Sequence, residues 1–159
     1  MVITPPIDST RLKWPYNGMI NDLRVVIEGR ANFLAALGLL VYTETVGRWI
    51  LQAGGRRNPT NEDAFYCFYE RYMAKRGARR RKIYEFFRHG LAHGYTFNAA
   101  DLSKIRMQAD PDGLPQSSRK GVINFQRRRI KSFLVNAYFR DFQRGLVKWA
   151  TERPDLVLN

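Results

Sequence analysis

The chain has 159 residues, about one domain, and this length buries enough surface to fold without a disulfide or a metal. With 45% hydrophobic residues and a mean hydropathy of −0.42, it is expected to be neither disordered nor a membrane protein. The longest nearly apolar run, Phe33 to Tyr42, is about half the length of a membrane-spanning helix. No signal peptide is visible, and the single cysteine, Cys67, favours the reducing cytoplasm.

The charge is strongly positive. The chain has 27 lysines and arginines against 14 acidic residues, which gives a net charge of +13 and a pI near 10.4. Such a balance favours a polyanionic partner, and nucleic acid is the commonest one. An arginine-rich face that is only solvated would give the same composition, so this alternative stays open.

The N-terminal part is predicted to be an arm followed by the first helix. Residues 1–17 hold three of the seven prolines and are expected to be extended, with Trp14 and Tyr16 attaching them to the body. Residues 18–159 then form a single helical domain. Helical spacing begins near Met19.

A stronger helix is predicted from about Ala31 to Gln52, and Gly54 and Gly55 end it. Its predicted core-facing residues are Leu34, Leu37, Val41 and Trp49. Glu44 comes seven residues after Leu37 and three after Val41, so its side chain is predicted to point toward the core. Arg48 follows Glu44 in the order that favours an ion pair.

The next helix is predicted from about Asn61 to Lys75, with Thr60 and Asp63 resembling a capping box. Its apolar side is aromatic and is typical of a core rather than of a base-stacking platform. This side consists of Phe65, Phe68, Tyr69, Tyr72 and Met73. Another helix is predicted from about Arg80 to Tyr95.

A turn signal at residues 110–113 separates two short apolar stretches, residues 105–107 and 122–125, which we predict to pair as a hairpin. The last helix is predicted from about Gln126 to Thr151. The pattern as a whole predicts an all-α bundle with a short β-hairpin before the last helix.

Both histidines lie in one window, where His89 and His93 are four residues apart. This spacing suits two zinc ligands on one face of a helix. A zinc site needs a third ligand, and the candidate donors are Cys67 and Glu44. No metal site is therefore predicted. Histidines that only pack against the core are the second interpretation.

The third interpretation combines Arg88 with His93. Arginine binds phosphate through a planar fork, and histidine moves protons near neutral pH. Together they can cleave RNA without a metal or cofactor, because the substrate supplies the 2′-hydroxyl nucleophile. Positions five apart differ by about 140° on a regular helix, so the pair converges only at an irregular turn or across two protomers.

The window Arg88-His89-x-x-x-His93 resembles the R-(polar)-x-x-x-H signature of the HEPN superfamily. Tyr95 extends this likeness to toxins that are paired with minimal nucleotidyltransferase antitoxins. The stretch from Ala31 to Gly47 is similar to the second-helix pattern of uncharacterised bacterial HEPN-like proteins. The likeness covers about residues 19–150.

The resemblance implies a four- to five-helix bundle that dimerises and lines one cleft with the Arg and His of both protomers. Active members are metal-independent RNases of defence and toxin–antitoxin systems. Carried over, Arg88 and His93 are catalytic, His89 supports them, and an adenylylating antitoxin partner would modify Tyr95. Glu44 is the candidate partner of Arg88, with a core ion pair to Arg48 as its alternative.

The leading function is therefore a homodimeric endoribonuclease. The residues expected to guide RNA are Arg79, Arg80, Arg81, Lys82, Arg127, Arg128, Arg129 and Lys131. Two alternatives stay open: a non-catalytic dimer that binds RNA or a nucleotide in the same cleft, and a DNA-binding regulator built on the arginine-rich start of the last helix. Membrane contact is not expected.

Overall fold

A computed structural model describes residues 12–73, 84–85, 106–108, 123–126 and 129–158. The described residues are mostly helical, which confirms the predicted helical class at this coarse level. Five helices are described: α1 (Tyr16–Glu28), α2 (Asn32–Ala53), α3 (Asn61–Arg71), α4 (Val135–Glu152) and α5 (Pro154–Val157). Three short strands are also described: β1 (Arg106–Gln108), β2 (Ile123–Gln126) and β3 (Arg129–Leu134).

Helix α1 begins one turn earlier than its apolar spacing predicted. Its buried residues are Tyr16, Met19, Ile20 and Leu23, spaced three and four apart. The Tyr16 ring lies edge-on to Trp49 and Trp149, with centroids 5.3 and 5.5 Å away, and so joins α1 to α2 and α4. Trp14 is 84% exposed, so its predicted role in attaching the N-terminal arm is wrong.

Helix α2 is the central helix, but it buries a different face from the predicted one. Its fully buried residues are Ala35, Ala36, Leu39, Leu40, Thr43 and Val46. Leu34, which the spacing placed in the core, is 49% exposed, and Leu37, Val41 and Trp49 are partly exposed. The predicted stop is confirmed: α2 ends at Ala53, and Gly55 adopts a positive φ of 91°.

Helix α3 packs its aromatic side into the core, as predicted. Phe65 and Phe68 are fully buried, and Tyr69, Tyr72 and Met73 are at most 5% exposed. Thr60 caps the helix, since its hydroxyl accepts a hydrogen bond from the Asp63 N–H at 3.1 Å. The Asp63 carboxylate accepts a hydrogen bond from Arg56 at 2.7 Å, which ties the start of α3 to the α2–α3 loop.

The strands form one sheet in the order β1-β3-β2. β1 runs parallel to β3, and β2 runs antiparallel to it, with a register shift between Asn124 and Phe125. The predicted pairing of residues 105–107 with 122–125 is therefore wrong, because β3 lies between β1 and β2. The predicted start of the last helix is also wrong, since residues 129–134 are a strand and α4 begins at Val135.

The described ends of the chain meet. Leu12 forms an antiparallel bridge with Leu158, and the Lys13 N–H donates to the Val157 carbonyl at 2.9 Å. Leu12 and Val157 are buried at this junction. The segment just before α1 is thus held against the C-terminal helices.

Candidate functional site

Most predicted site residues lie outside the described part of the chain. These are Arg79, Arg80, Arg81, Lys82, Arg88, His89, His93, Tyr95, Arg127 and Arg128. Arg129 and Lys131 are described as backbone positions of β3. Glu44 is described with its side chain, and Tyr84 and Glu85 are the described residues nearest before Arg88 in sequence. The described geometry of the site therefore centres on Glu44 and Tyr84.

Glu44 is a buried carboxylate in the middle of α2. The residue is 9% exposed, and its two oxygens meet different partners. Oε2 accepts a hydrogen bond from the Tyr84 hydroxyl at 3.2 Å, and Oε1 lies 3.8 Å from Nη2 of Arg48. A buried carboxylate needs such partners, because losing hydration without replacement is costly.

Arg48 holds Glu44 on the side of the α2–α3 loop. Its Nη1 donates to the Pro59 carbonyl at 3.0 Å, and its Nη2 donates to the side-chain oxygen of Asn61. The predicted pairing of Glu44 with Arg48 is therefore observed. The guanidinium is fixed by the loop as well as by Glu44, so it anchors one side of the carboxylate.

Tyr84 is inserted between α2 and α3. It is 5% exposed, and its ring lies 5.4 Å from Phe65 and 6.4 Å from Tyr66, measured between centroids. Its backbone N–H donates to the Tyr66 hydroxyl at 3.2 Å, and its own hydroxyl donates to Glu44. The residue is thus fixed at both its backbone and its side-chain tip. Sequence reasoning missed it, because its partners are 18 and 40 positions away.

A second buried polar pair lies one position before Glu44. The Thr43 and Tyr138 hydroxyls are 2.9 Å apart, and Thr43 also donates to the Leu39 carbonyl at 2.7 Å. Both residues are completely buried. Burial raises the pKa of Tyr138 well above its ordinary value, so the phenol stays neutral. This pair joins α2 to α4.

The positive charge is unevenly distributed along the sequence. Residues 74–133 hold 15 of the 27 basic residues but four of the 14 acidic ones. The helical residues 12–73 and 134–158, by contrast, hold 11 basic and nine acidic residues. Several of these framework arginines contact carboxylates directly: Arg56 with Asp63, Arg71 with Glu152, Arg144 with Asp141, and Arg153 with Asp155. The surplus therefore belongs to the segment that contains Arg88 and His93.

The described residues contain no group of three or more His, Cys, Asp or Glu side chains that could hold a metal ion. Cys67, one of the two donors considered for the histidines, is partly buried. Burial raises the pKa of its thiol, which the positive charges of Arg71 and Arg56 partly oppose. His89 and His93 themselves lie outside the described residues.

One described helix is long and apolar enough to cross a membrane by length and composition: Phe33–Ala53, within α2. Half of this apolar stretch is buried inside the fold, and α2 contacts α1, α3 and α4. The central helix of a folded domain meets the same criteria, so this match is weak evidence for a membrane span.

Comparisons with known proteins return no relatives: no family model, curated protein or solved structure matches this chain. The function must accordingly be inferred from the residues and contacts of the chain itself.

Proposed function

We propose that this protein is a metal-independent endoribonuclease of the HEPN type, with Arg88 and His93 as its catalytic residues. The observation that carries the proposal is the hydrogen bond from Tyr84 to Glu44 at 3.2 Å. It ties the chain four residues before Arg88 to a buried carboxylate of α2. A fixed start for the Arg88–His93 segment is what a two-residue catalytic pair needs, because catalysis depends on orientation.

The proposed chemistry uses the substrate's own nucleophile. His93 removes the proton of the ribose 2′-hydroxyl, and the 2′-oxygen attacks the adjacent phosphorus. The bond to the 5′-oxygen breaks, and this oxygen leaves with a proton from water. The Arg88 guanidinium neutralises the charge that builds on the phosphate oxygens. The products are a 2′,3′-cyclic phosphate and a 5′-hydroxyl.

The charge distribution supports RNA as the substrate. The proposed catalytic residues fall within residues 74–133, where basic residues outnumber acidic ones by 15 to four. A cationic segment of this kind attracts the phosphate backbone and raises the rate of encounter. The framework helices carry nearly balanced charge, so they are proposed to contribute position rather than affinity.

The composite site is proposed to form in a homodimer. In the helix predicted over Arg80–Tyr95, Arg88 and His93 differ by about 140° in direction. A two-fold axis that brings two such helices together would let the Arg of one protomer work with the His of the other. His89 and Tyr95 would then line the same cleft, and the homodimer would be the active form.

The test is incubation of purified protein with labelled single-stranded RNA in EDTA, with His93→Ala beside the wild type and Arg57→Gln as a control. We expect cleavage by the wild type and by Arg57→Gln, and none by His93→Ala. Arg57 is an exposed framework arginine, so this control removes a positive charge away from the signature. Activity that disappears in EDTA and returns with zinc would instead support a His89–His93 metal site.

Two other functions give different results in the same assay. Tight RNA binding without cleavage would identify a non-catalytic dimer. Binding to duplex DNA that survives His93→Ala would identify a DNA-binding regulator. That third function was predicted from an arginine-rich start of the last helix, but Arg129 and Lys131 lie in β3 and α4 begins at Val135. Arg129 and Lys131 therefore do not lie at the start of a helix, as this third function required.

A further inference from the structure

Trp14 is the most exposed of the large apolar residues that the structure describes. It is 84% exposed, whereas Trp49 is partly buried and Trp149 is 2% exposed. Tryptophan is highly buried on average, because its indole has one of the largest apolar areas of any side chain. An indole that the fold leaves in solvent is therefore a candidate contact for another molecule.

The backbone on both sides of Trp14 is fixed. Leu12 is 1% exposed and Tyr16 is 6% exposed, so the chain is buried just before and just after the indole. The Lys13 N–H also donates to the Val157 carbonyl at 2.9 Å. Trp14 is thus presented from an anchored part of the chain. Such a contact loses little conformational entropy when a ligand binds.

The indole lies beside Gly18, among amide side chains. A Cβ atom built on Gly18 would lie 3.4 Å from Nε1 and 3.7 Å from Cδ1 of Trp14, so the ring meets α1 with its pyrrole edge. Asn17 and Asn21 flank Gly18 on the helix surface, and the Asn21 Nδ2 donates to the Asn17 Oδ1 at 2.7 Å. Each amide keeps a further donor or acceptor for a ligand. The surroundings of the ring on α1 are therefore polar.

These polar surroundings decide which class of partner the ring suits. The other large apolar residues described as exposed are Val25, near the end of α1, and Leu34, in α2. Protein interfaces and membrane-binding helices use clusters of apolar side chains. One ring beside amides instead suits an unpaired nucleobase, which stacks on the ring face and forms hydrogen bonds through its edges.

The charge next to Trp14 also suits a strand of nucleic acid. Lys13 precedes Trp14 in the sequence, and its Nζ donates to the backbone carbonyl of Asp155. The Asp155 carboxylate is paired with Arg153 at 2.9 Å, so two positive groups accompany one negative group at this point. The chain as a whole carries a net charge of +13, which attracts a polyanion and repels a second copy.

We propose that Trp14 is a stacking site for an unpaired base of single-stranded nucleic acid. The choice of RNA as that strand rests on the proposed endoribonuclease function. Trp14 lies in the segment before α1, outside the framework helices, and it takes no part in bond cleavage. The basic segment supplies the salt-dependent part of the affinity, and stacking on Trp14 adds a part that salt does not weaken.

The binding experiment measures anisotropy of a labelled single-stranded 2′-methoxy RNA of about ten nucleotides. Its methoxy groups block the proposed cleavage. We expect Trp14→Ala and Trp14→Leu to weaken binding about tenfold, and Trp14→Phe about threefold, because only phenylalanine keeps a ring. Val25→Ala, which shortens an exposed apolar side chain of α1, is the matched control and should bind like the wild type. Unchanged affinity in Trp14→Ala, or equal affinity of Trp14→Leu and Trp14→Phe, would overturn the proposal.

Two further comparisons isolate stacking from charge. The slope of log affinity against log salt should be the same for Trp14→Ala and the wild type, because no phosphate contact is lost. The loss should also be confined to single strands, since a duplex of the same sequence offers no unpaired base. Equal losses on strand and duplex would overturn the proposal.

The fluorescence of Trp14 reports the contact directly. Single-stranded RNA should quench the emission of the wild type and have little effect on Trp14→Ala. A blue shift on vesicles of phosphatidylserine and phosphatidylcholine, without quenching by RNA, would assign the ring to a membrane surface and overturn the proposal. A dimeric wild type that becomes monomeric on Trp14→Ala would assign it to a contact between copies, with the same consequence.

The outcomes also separate this proposal from the endoribonuclease function. If RNA binds and Trp14 responds as expected, but no RNA is cleaved, the endoribonuclease proposal fails and the stacking site stands. If RNA is cleaved with the same KM and kcat by the wild type and Trp14→Ala, the stacking site fails and the nuclease stands. Absence of RNA binding overturns both.

Discussion

Gly47 of α2 lies directly against the backbone of Ala64 in α3. A Cβ atom built on Gly47 would contact the Ala64 carbonyl oxygen and lie 2.7 Å from its carbonyl carbon. The two helices therefore approach each other at a point where only a hydrogen atom fits. This close approach brings α2 and α3 together next to Glu44 and Arg48, and so supports the buried carboxylate.

Gly47→Ala should destabilise the protein by about 1–3 kcal/mol or more, because a helix backbone cannot yield as a flexible side chain can. Gly38→Ala is the matched control in the same helix. Its Cβ would lie 3.4 Å from a methyl group of Leu23, which can move. Alanine also favours a helix over glycine by about 1 kcal/mol, so this variant should be neutral or stabilising. Urea unfolding followed by circular dichroism measures the free energy of unfolding of both variants. If the two substitutions change it equally, the close approach of α2 and α3 does not restrict the size of residue 47.

The sequence predicted α3 better than α2, for a physical reason. The apolar residues of α3 lie on one side, opposite charged ones, so only one face can be buried. Helix α2 is apolar nearly all round, and periodicity does not choose a face. The structure buries the small residues Ala35 and Ala36 and leaves Leu34 half exposed, because small side chains allow the neighbouring helices to approach. That choice depends on the partner helices.

Strand β3 shows the same limit of local patterns. Ile130, Phe133 and Leu134 have helical spacing, and a short apolar run of this kind fits a strand as well. The strand is favoured by partners on both sides, β1 and β2, whose pairing cannot be seen in local spacing. For the site, Glu44 was predicted to face the core from its spacing to Leu37 and Val41, but these two residues are partly exposed, so the burial of Glu44 depends on the partner helices as well. Its bond to Tyr84 was not predictable, since the two residues are 40 positions apart.

The stability of the fold should fall at alkaline pH. Burial raises the pKa of Tyr16 to about 12, against an ordinary value of 10.0 in the unfolded chain. The unfolded chain therefore loses this proton first. The stabilising contribution is complete below about pH 10 and is lost as the pH rises toward 12. Tyr16→Phe has no proton to lose there, so its unfolding midpoint should fall less between these pH values than that of the wild type.

Tyr72, whose pKa is also raised to about 12 by burial and by its hydrogen bond to Glu152, should add to the same trend. Titration of tyrosinate absorbance in the native protein tests whether the raised pKa values of Tyr16 and Tyr72 cause this loss of stability. Ionisation that is complete near pH 10 in the folded state would contradict it.

RNA affinity should depend on the basic segment and not on the helical framework. Changing Arg127, Arg128 and Arg129 to glutamine should lower the slope of log affinity against log salt by about 0.7 for each lost phosphate contact. The matched control changes Arg56, Arg71 and Arg153, which contact carboxylates in the framework. We expect its slope to remain unchanged in fluorescence anisotropy titrations. If the two triple variants have equal slopes, the Arg127–Arg129 cluster is exposed to solvent and does not contact RNA phosphates.

The active form should be a homodimer. Light scattering at tens of micromolar protein is expected to give twice the mass of the 18.6 kDa chain. A monomer that retains full RNase activity would exclude the composite site. Mixing inactive Arg88→Ala protein with inactive His93→Ala protein is the complementary measurement, because a mixed dimer pairs the intact His93 of one protomer with the intact Arg88 of the other and should restore part of the activity.

The variants of the signature should lose rate to different extents. His93→Ala should lose about 10²- to 10⁴-fold in rate while keeping most of its RNA affinity. Arg88→Lys should also fail, since a single ammonium group cannot reproduce the planar fork of arginine. His89→Asn should be milder, because the resembled signature accepts asparagine at that position. Single-turnover cleavage of labelled RNA measures all three, together with the products that they leave.

Those products give the sharpest test of the chemistry. Attack by the 2′-oxygen predicts 2′,3′-cyclic phosphate and 5′-hydroxyl ends, which mass spectrometry and end-labelling distinguish from the 3′-hydroxyl and 5′-phosphate ends left by hydrolysis with water. RNA with a 2′-methoxy group at the cut site should bind and stay intact, because its nucleophile is blocked. Cleavage of the 2′-methoxy substrate would mean that water is the nucleophile, and the mechanism assigned to Arg88 and His93 would then be wrong.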